Sequence, residues 1–315
     1  MLKSKTEKKI VKIVISLIRF LFLASLSYIL IYPVIYMVST AIKSAGDLVD
    51  PTVLWIPKSA SLINFEHAVK VMDYAKNVFN TLRYEILSAL IQTFTCAFYG
   101  YGLARFKMKV KPVMIFLLIL TILVPDIMVI VPRLSNFKSL DLLGILGLLN
   151  KLTGIDLRIN IVDTPFTFVL PSIFGVGLKG GLIIFIYMQF MKGLPKELEE
   201  AAYLDGANPL QTFLRIILPS SGVVITTVTI FSLIWHWNDY LLAMMYTYNN
   251  RPLAVILHDI NQHMSVVLGI ASKADTTYYG VPMAACLLFL IPPLVMYMIM
   301  QKKFVQSIDS IGIVG

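Results

Sequence analysis

PKELEEAAYLDGANPLQTFLRIILP, residues 195–219, is an amphipathic, water-compatible run bracketed by apolar stretches on both sides. Pro195 suits a first helical position, where its missing N–H costs nothing. Glu197, Glu199 and Glu200 crowd the first turns, the end at which acids complement the helix dipole. Leu198, Ala201, Ala202 and Asp205 recur three or four apart and predict one narrow face of mostly small residues. Gly206 fits the residue just past a helix C-terminus. Asn208-Pro209 then reads as a cap and first position of a second short helix. Two short helices about a glycine make a compact, rigid protrusion.

Hydrophobic residues make up 57% of the 315 and charged residues 14%, whereas soluble domains carry about 25% charged residues. Apolar runs of about 20 residues recur, the length that crosses roughly 30 Å of hydrocarbon. An outer-membrane barrel is excluded, because its strands are shorter and alternate. The expected fold is therefore an all-α polytopic membrane protein. Its net charge of +9 reads as orientation charge, with no nucleic-acid partner. Cys96 and Cys286 both fall in apolar runs, which argues against a disulfide framework.

Six spans are expected, at about 13–38, 82–103, 112–132, 166–188, 223–244 and 281–300, preceded by a 1–12 segment and followed by a 301–315 tail. The apolar run after the N-terminal lysines reads as a retained first span, kinked at Pro33. Asn80-Thr81 offers a cap before the second span, in which Arg83, Glu85 and Gln92 intrude near the outer end. Pro125-Asp126 breaks the third span. Pro171 and the glycines around Lys179 bend the fourth. Within 133–165, LDLLGILGLLNKLTG suits an interfacial or partly re-entrant helix. LINFEHAVKVM is a short amphipathic piece of the 39–80 loop. Inside segments hold five, four, three and two Lys/Arg, against nine in longer outer loops. That bias places both termini and residues 195–219 in the cytoplasm.

The sequence has no Gly-rich loop ending in Gly-Lys-Ser/Thr, so the chain is not expected to bind or hydrolyse ATP. No catalytic constellation, cofactor motif or metal spacing occurs, and His67, His236, His258 and His263 are scattered. Asp126, Lys179 and Trp237-Asn238-Asp239 are candidates for lining a polar translocation path, with Lys179, Trp237 and Asn238 foremost. Asp126 and Asp239 could instead lie at span ends in the headgroup region, the reading favoured for Asp239; Asn238 fits either role. Deep acids in several spans would suit a gradient-driven carrier, and the span centres are nearly free of them. A chain without an engine but with a rigid cytoplasmic protrusion suits work delivered by a partner.

Glu200-Ala201-Ala202, then Gly206, Ile216, Leu218 and Pro219, resemble the EAA loop of binding-protein-dependent ABC importer permeases. YPVIYMVSTAIK at 32–43, YGLARFKMKVK at 101–111, LPKELEEAAYLDGA at 194–207 and WNDY at 237–240 resemble the sugar branch, especially its maltose-G-like members. The resemblance implies a six-span permease of the maltose type in a prokaryotic inner membrane, with a coupling helix between spans four and five. It further implies a second related permease, two ATPase subunits holding ATP and Mg, an external solute-binding protein, and a sugar or oligosaccharide cargo. A modified polysaccharide fragment, a polyol or a glycerol-phosphate-like solute is the alternative cargo. Glu200, Ala201, Ala202, Asp205 and Gly206 would be the ATPase-coupling positions. The tail KKFVQSIDSIGIVG is similar to family tails that touch the ATPase subunits, but does not end near a basic residue. The 133–165 segment is longer than the usual outer link, a surface suited to the binding protein or the partner permease.

Overall fold

The computed structural model describes residues 5–141, 144–155, 158–270 and 276–312, with side chains described only within residues 9–302. The side chains of the first N-terminal lysines and of the tail from residue 303 onward, with the ATPase contact expected of it, lie outside the described residues. Every regular element among the described residues is helical.

Residues 1–71 with 261–288 form one unit, and residues 72–260 with 289–315 the other. In the first unit, α1 (Lys5–Ala41) is long and apolar enough to cross a membrane, yet buries none of its hydrophobic stretch within the chain. Its C-terminal end is tied to the following turns. The Asn64 side chain donates to the carbonyls of Ala41 and Lys43 at 2.9 and 2.8 Å. The Lys43 ammonium donates to the carbonyls of Val53 and Leu54, both at 2.9 Å. Trp55 packs edge-on against Tyr32 and Tyr36. The short helix α2 (Ala45–Val49) is capped by Ser44. LINFEHAVKVM forms α3 (Ile63–Val71).

The second unit is built around α4 (Tyr74–Arg105), 32 residues and therefore about 48 Å long. Asn80-Thr81 is not a cap: the helix runs through it into a π-turn at Leu82–Ile86. The Thr81 hydroxyl instead bonds the Asn77 carbonyl and accepts the Leu253 N–H. The region expected as span three is two helices, α5 (Lys111–Leu123) and α6 (Asp126–Lys138), bent 101° apart. Pro125 removes a backbone donor there, and a residue before proline is pushed out of the helical region. Within 133–165, the stretch expected as an interfacial or partly re-entrant helix contains the helix α7 (Ile145–Thr153).

The region expected as span four is likewise discontinuous: α8 (Phe166–Ile173) and α9 (Gly180–Gly193) flank a non-helical stretch ending at Lys179, which adopts φ 56°. Residues 195–219 form α10 (Glu197–Leu204) and α11 (Pro209–Ser220), the latter with a second π-turn at Phe213–Ile217. Then follow α12 (Gly222–Trp237), α13 (Leu241–Tyr246), α14 (Leu253–His258), α15 (Ile260–Val267) and α16 (Gly280–Gly312).

α4 and α9 meet closely at Gly100, where a Cβ would stand 2.5 Å from that of Tyr187 and 3.0 Å from the Met188 nitrogen. Around this contact Cys96, Ala97, Tyr101, Ile183, Tyr187, Met188, Phe213 and Val228 form one core. Tyr84, Ile130, Phe137, Phe168, Leu242 and Tyr246 form another. Asp163 ties residues 248–250 to the second unit, its carboxylate accepting backbone N–H groups of Tyr248, Asn249 and Asn250 at 3.0–3.3 Å.

Candidate functional site

The protrusion forms as a closed piece of local chemistry. α10 begins at Glu197, with Lys196 as its cap residue, so Pro195 stands just outside the helix and not at its first position. At the other end Gly206 takes φ +81°. The Ala207 N–H reaches the Ala202 carbonyl at 2.9 Å, and the Gly206 N–H the Tyr203 carbonyl at 3.1 Å. These two bonds make a Schellman motif, which satisfies carbonyls that the helix end would orphan. Asn208 accepts the Gln211 N–H at 2.9 Å while the Gln211 side chain accepts the Asn208 N–H at 3.0 Å. That reciprocal pair is a capping box.

The expected face is redistributed. Glu197, Glu200, Ala201, Leu204 and Asp205 are exposed together, three or four residues apart, with Gly206 beside them. Ala202 is 3% exposed. It lies on the buried side with Glu199, while Ala201, about 100° round the helix, is exposed. Leu204, which no sequence argument singled out, is 88% exposed. An exposed leucine between two acids on a short helix was legible only once the buried side was known.

Beneath this face lies an ion pair. Arg105, the last residue of α4, reaches Glu199 at 3.0 Å with side chains 6% and 11% exposed. The same guanidinium donates to the Leu194 carbonyl at 2.7 Å. Phe213 is fully buried against Phe98 and Tyr101 of α4, with ring centroids 5.5 and 5.1 Å apart. The protrusion is thus bolted to α4 at both helices, by charge through α10 and by aromatic packing through α11.

A second site collects at the helix breaks. Non-helical backbone at membrane depth is tolerated where it is buried in protein or lines a polar cavity. Asp126 opens α6 beside the first break, Lys179 ends the second, and Asp239 follows α12 at a third. Lys179 and Asp126 pair at 2.7 Å, half-exposed. Asp239 is not a solvated span-end residue: it is 8% exposed, and one carboxylate oxygen accepts the Leu242 N–H at 3.1 Å. Its other oxygen has no hydrogen-bond partner. Facing it is Glu85 from the π-turn of α4, 1% exposed, with neither oxygen partnered. His236, 2% exposed, spends its Nδ1 on the Ser232 carbonyl at 2.9 Å. Arg133 joins these three in lining a cavity of about 20 Å³.

Of the expected path residues, Lys179 is beside this cluster. Trp237 is instead a core residue, 1% exposed, its indole N–H donating to the Phe289 carbonyl at 3.2 Å. Asn238 is exposed and closes the α12 end through the Ile234 carbonyl at 2.8 Å. Glu85, seen in sequence only as a polar intrusion near a span end, is the residue that sequence reasoning missed. No group of three or more metal-ligating side chains that could hold an ion occurs among the described residues.

Comparison with known proteins places the chain. It is 24% identical over 297 residues to the "Polygalacturonan/rhamnogalacturonan transport system permease protein YtcP" of Bacillus subtilis, covering 91% of this chain and 93% of that one. It is 25% identical over 283 residues to the "Probable starch degradation products transport system permease protein AmyC" of Thermoanaerobacterium thermosulfurigenes, covering 90% and 91%. Its fold matches a chain of a bacterial ABC transporter that imports the acidic polysaccharide alginate, with TM-score 0.69 and 18% identity over 96% of this chain and 99% of that one. Residues 97–310 match the family described as "Binding-protein-dependent transport system inner membrane component", and the chain belongs to that family.

Proposed function

We propose that the chain is the membrane-spanning permease subunit of an ATP-driven importer of sugars or oligosaccharides. In this proposal it pairs with a second related permease, receives solute from an external binding protein, and is driven by two separate ATPase subunits. Both termini and the α10–α11 loop face the cytoplasm. Saccharide cargo is supported by the names of the relatives, which specify polygalacturonan, rhamnogalacturonan and starch products.

The observation that carries the coupling role is the exposed α10 face backed by the buried Arg105–Glu199 pair. A partner pressing on Glu200, Ala201, Leu204, Asp205 and Gly206 moves α10, and α10 cannot move far without α4. Ala202 acts from beneath, its small side chain letting the helix lie close to its own bundle. Glu85 sits on the same helix as Arg105, about 30 Å along its axis at ~1.5 Å per residue. One rigid rod therefore joins the cytoplasmic face to the polar cluster, which is the kind of element that carries a domain motion. Replacing Leu204 with Lys tests this. The chain should stay membrane-inserted while ATPase recovery on purification and saccharide uptake both fall at least tenfold. Full recovery of the ATPase subunit with that variant defeats the docking role.

A further inference from the structure

The acids at the helix breaks have acceptors to spare and too few donors. Glu85 offers two unpartnered oxygens and Asp239 a third, all buried and all lining the same cavity. A buried carboxylate without a donor is costly, so such a site is built for something that brings donors. Its volume, about 20 Å³, suits one water or one hydroxyl group. The groups around it are Arg133 and His236 within the cavity, and the Asp126–Lys179 pair close enough to Asp239 to feel its charge. Lys179 is already held by Asp126 at 2.7 Å. His236 has one ring nitrogen committed to backbone. Three acids and two bases thus share the cluster, and three of the carboxylate oxygens have no donor.

We propose that this cavity is a hydroxyl-accepting subsite of the translocation path, which favours a neutral saccharide and disfavours a uronate. A sugar hydroxyl donates to Glu85 and Asp239 as a water would, and can replace it without loss of bonding. A uronate carboxylate brings no donor to these oxygens, and burying it there would cost its hydration. A mismatch of this kind sets specificity as much as attraction does. The relatives do not make the choice, since their names include acidic and neutral polysaccharides alike. The proposal rests on the saccharide-importer reading and narrows it.

The test uses the purified complete transporter in lipid nanodiscs without its binding protein, so that only the membrane subunits select. Neutral trisaccharides (maltotriose, cellotriose, raffinose) and trigalacturonate are added at millimolar concentration while the thermal unfolding midpoint is followed. At least one neutral trisaccharide should raise the midpoint, trigalacturonate should not, and Glu85→Gln and Asp239→Asn should each abolish the rise. A rise with trigalacturonate equal to the neutral one overturns the selectivity. A neutral rise that survives both substitutions overturns the site, as does no rise with any saccharide. Should Glu85→Gln fail to assemble, the wild-type comparison and Asp239→Asn still decide. Uptake of radiolabelled versions by cells carrying the intact transport system separates the two levels. Uptake of neither saccharide class defeats the importer reading, whereas uptake of the uronate alone defeats only this subsite.

Discussion

Gly206 lets stability and docking be separated in one pair of substitutions. Its φ of +81° lies in the left-handed region, and a Cβ built there meets no atom within 4 Å. Any L side chain therefore suffers the same backbone strain, about 1–2 kcal/mol, and its Cβ meets no atom of the chain. Gly206→Ala and Gly206→Trp should lower the unfolding free energy of the isolated permease by the same ~1–2 kcal/mol. Loss of the two Schellman bonds would add about 0.5–1.5 kcal/mol each, but only if the turn unwound. Against a partner the two variants diverge. Forcing extra bulk into a packed contact costs about 1–3 kcal/mol or more, so Trp should weaken ATPase docking by about fivefold to over a hundredfold beyond Ala. The assay is titration of the purified ATPase subunit onto detergent-solubilised permease, beside thermal unfolding of each variant. Equal docking by Ala and Trp would refute the proposed contact at Gly206. A much lower unfolding midpoint for Trp than for Ala would refute the open-space geometry.

Three other substitutions follow from the packing. Arg105→Met leaves Glu199 buried and unpaired, a loss of about 3–5 kcal/mol; the double variant Arg105→Met/Glu199→Leu should recover much of it, and a double variant no better than the single would show that the pair is not coupled. Gly100→Ala drives a methyl into Tyr187 and the α9 backbone, and should lower the unfolding free energy by about 1–3 kcal/mol, read by thermal denaturation; an unchanged midpoint would mean that α4 and α9 are not so close. In the 39–80 segment, the Lys58 ammonium at 2.6 Å and the Thr52 donors hold the Asp50 carboxyl well below the usual carboxylate range, and Lys58 is raised in turn. A depressed acid stabilises above its unfolded pKa of about 3.9 and loses that as pH falls; a raised lysine stabilises below its unfolded pKa of about 10.4 and loses that as pH rises. Asp50→Asn should therefore trim stability between those limits, converge with wild type in acid, and matter less in salt, as followed by unfolding midpoints across pH.

What was legible in the sequence was local. Gly206 and Asn208 declare themselves because a turn and a cap are settled by a few consecutive residues, and both adopt the roles their chemistry suggests. The breaks near Pro125 and among the glycines beside Lys179 were legible as breakers, though not as full interruptions. The inward and outward sides of α10 were not. Ala201 and Ala202 are identical in type, and only Arg105, from a distant helix, selects Glu199 and with it Ala202 as the buried side. Glu85 and Asp239 were illegible as a pair for the same reason. Each resembles a span-end acid until three separated helix breaks are brought together.

The π-turn at Leu82–Ile86 bears on how related chains should be compared. A widened turn is the footprint of one extra residue accommodated within an otherwise α-helical run. Each residue turns an α-helix by about 100°, so an alignment drawn ungapped across 82–86 against a relative with a plain helix misassigns every facing position on one side. Glu85 would then be matched to a residue that looks elsewhere, and its apparent variability would record an indel rather than a change of chemistry. Counting residues between the Gly100 contact and the start of the helix, and not letter identity, is the way to find its equivalent.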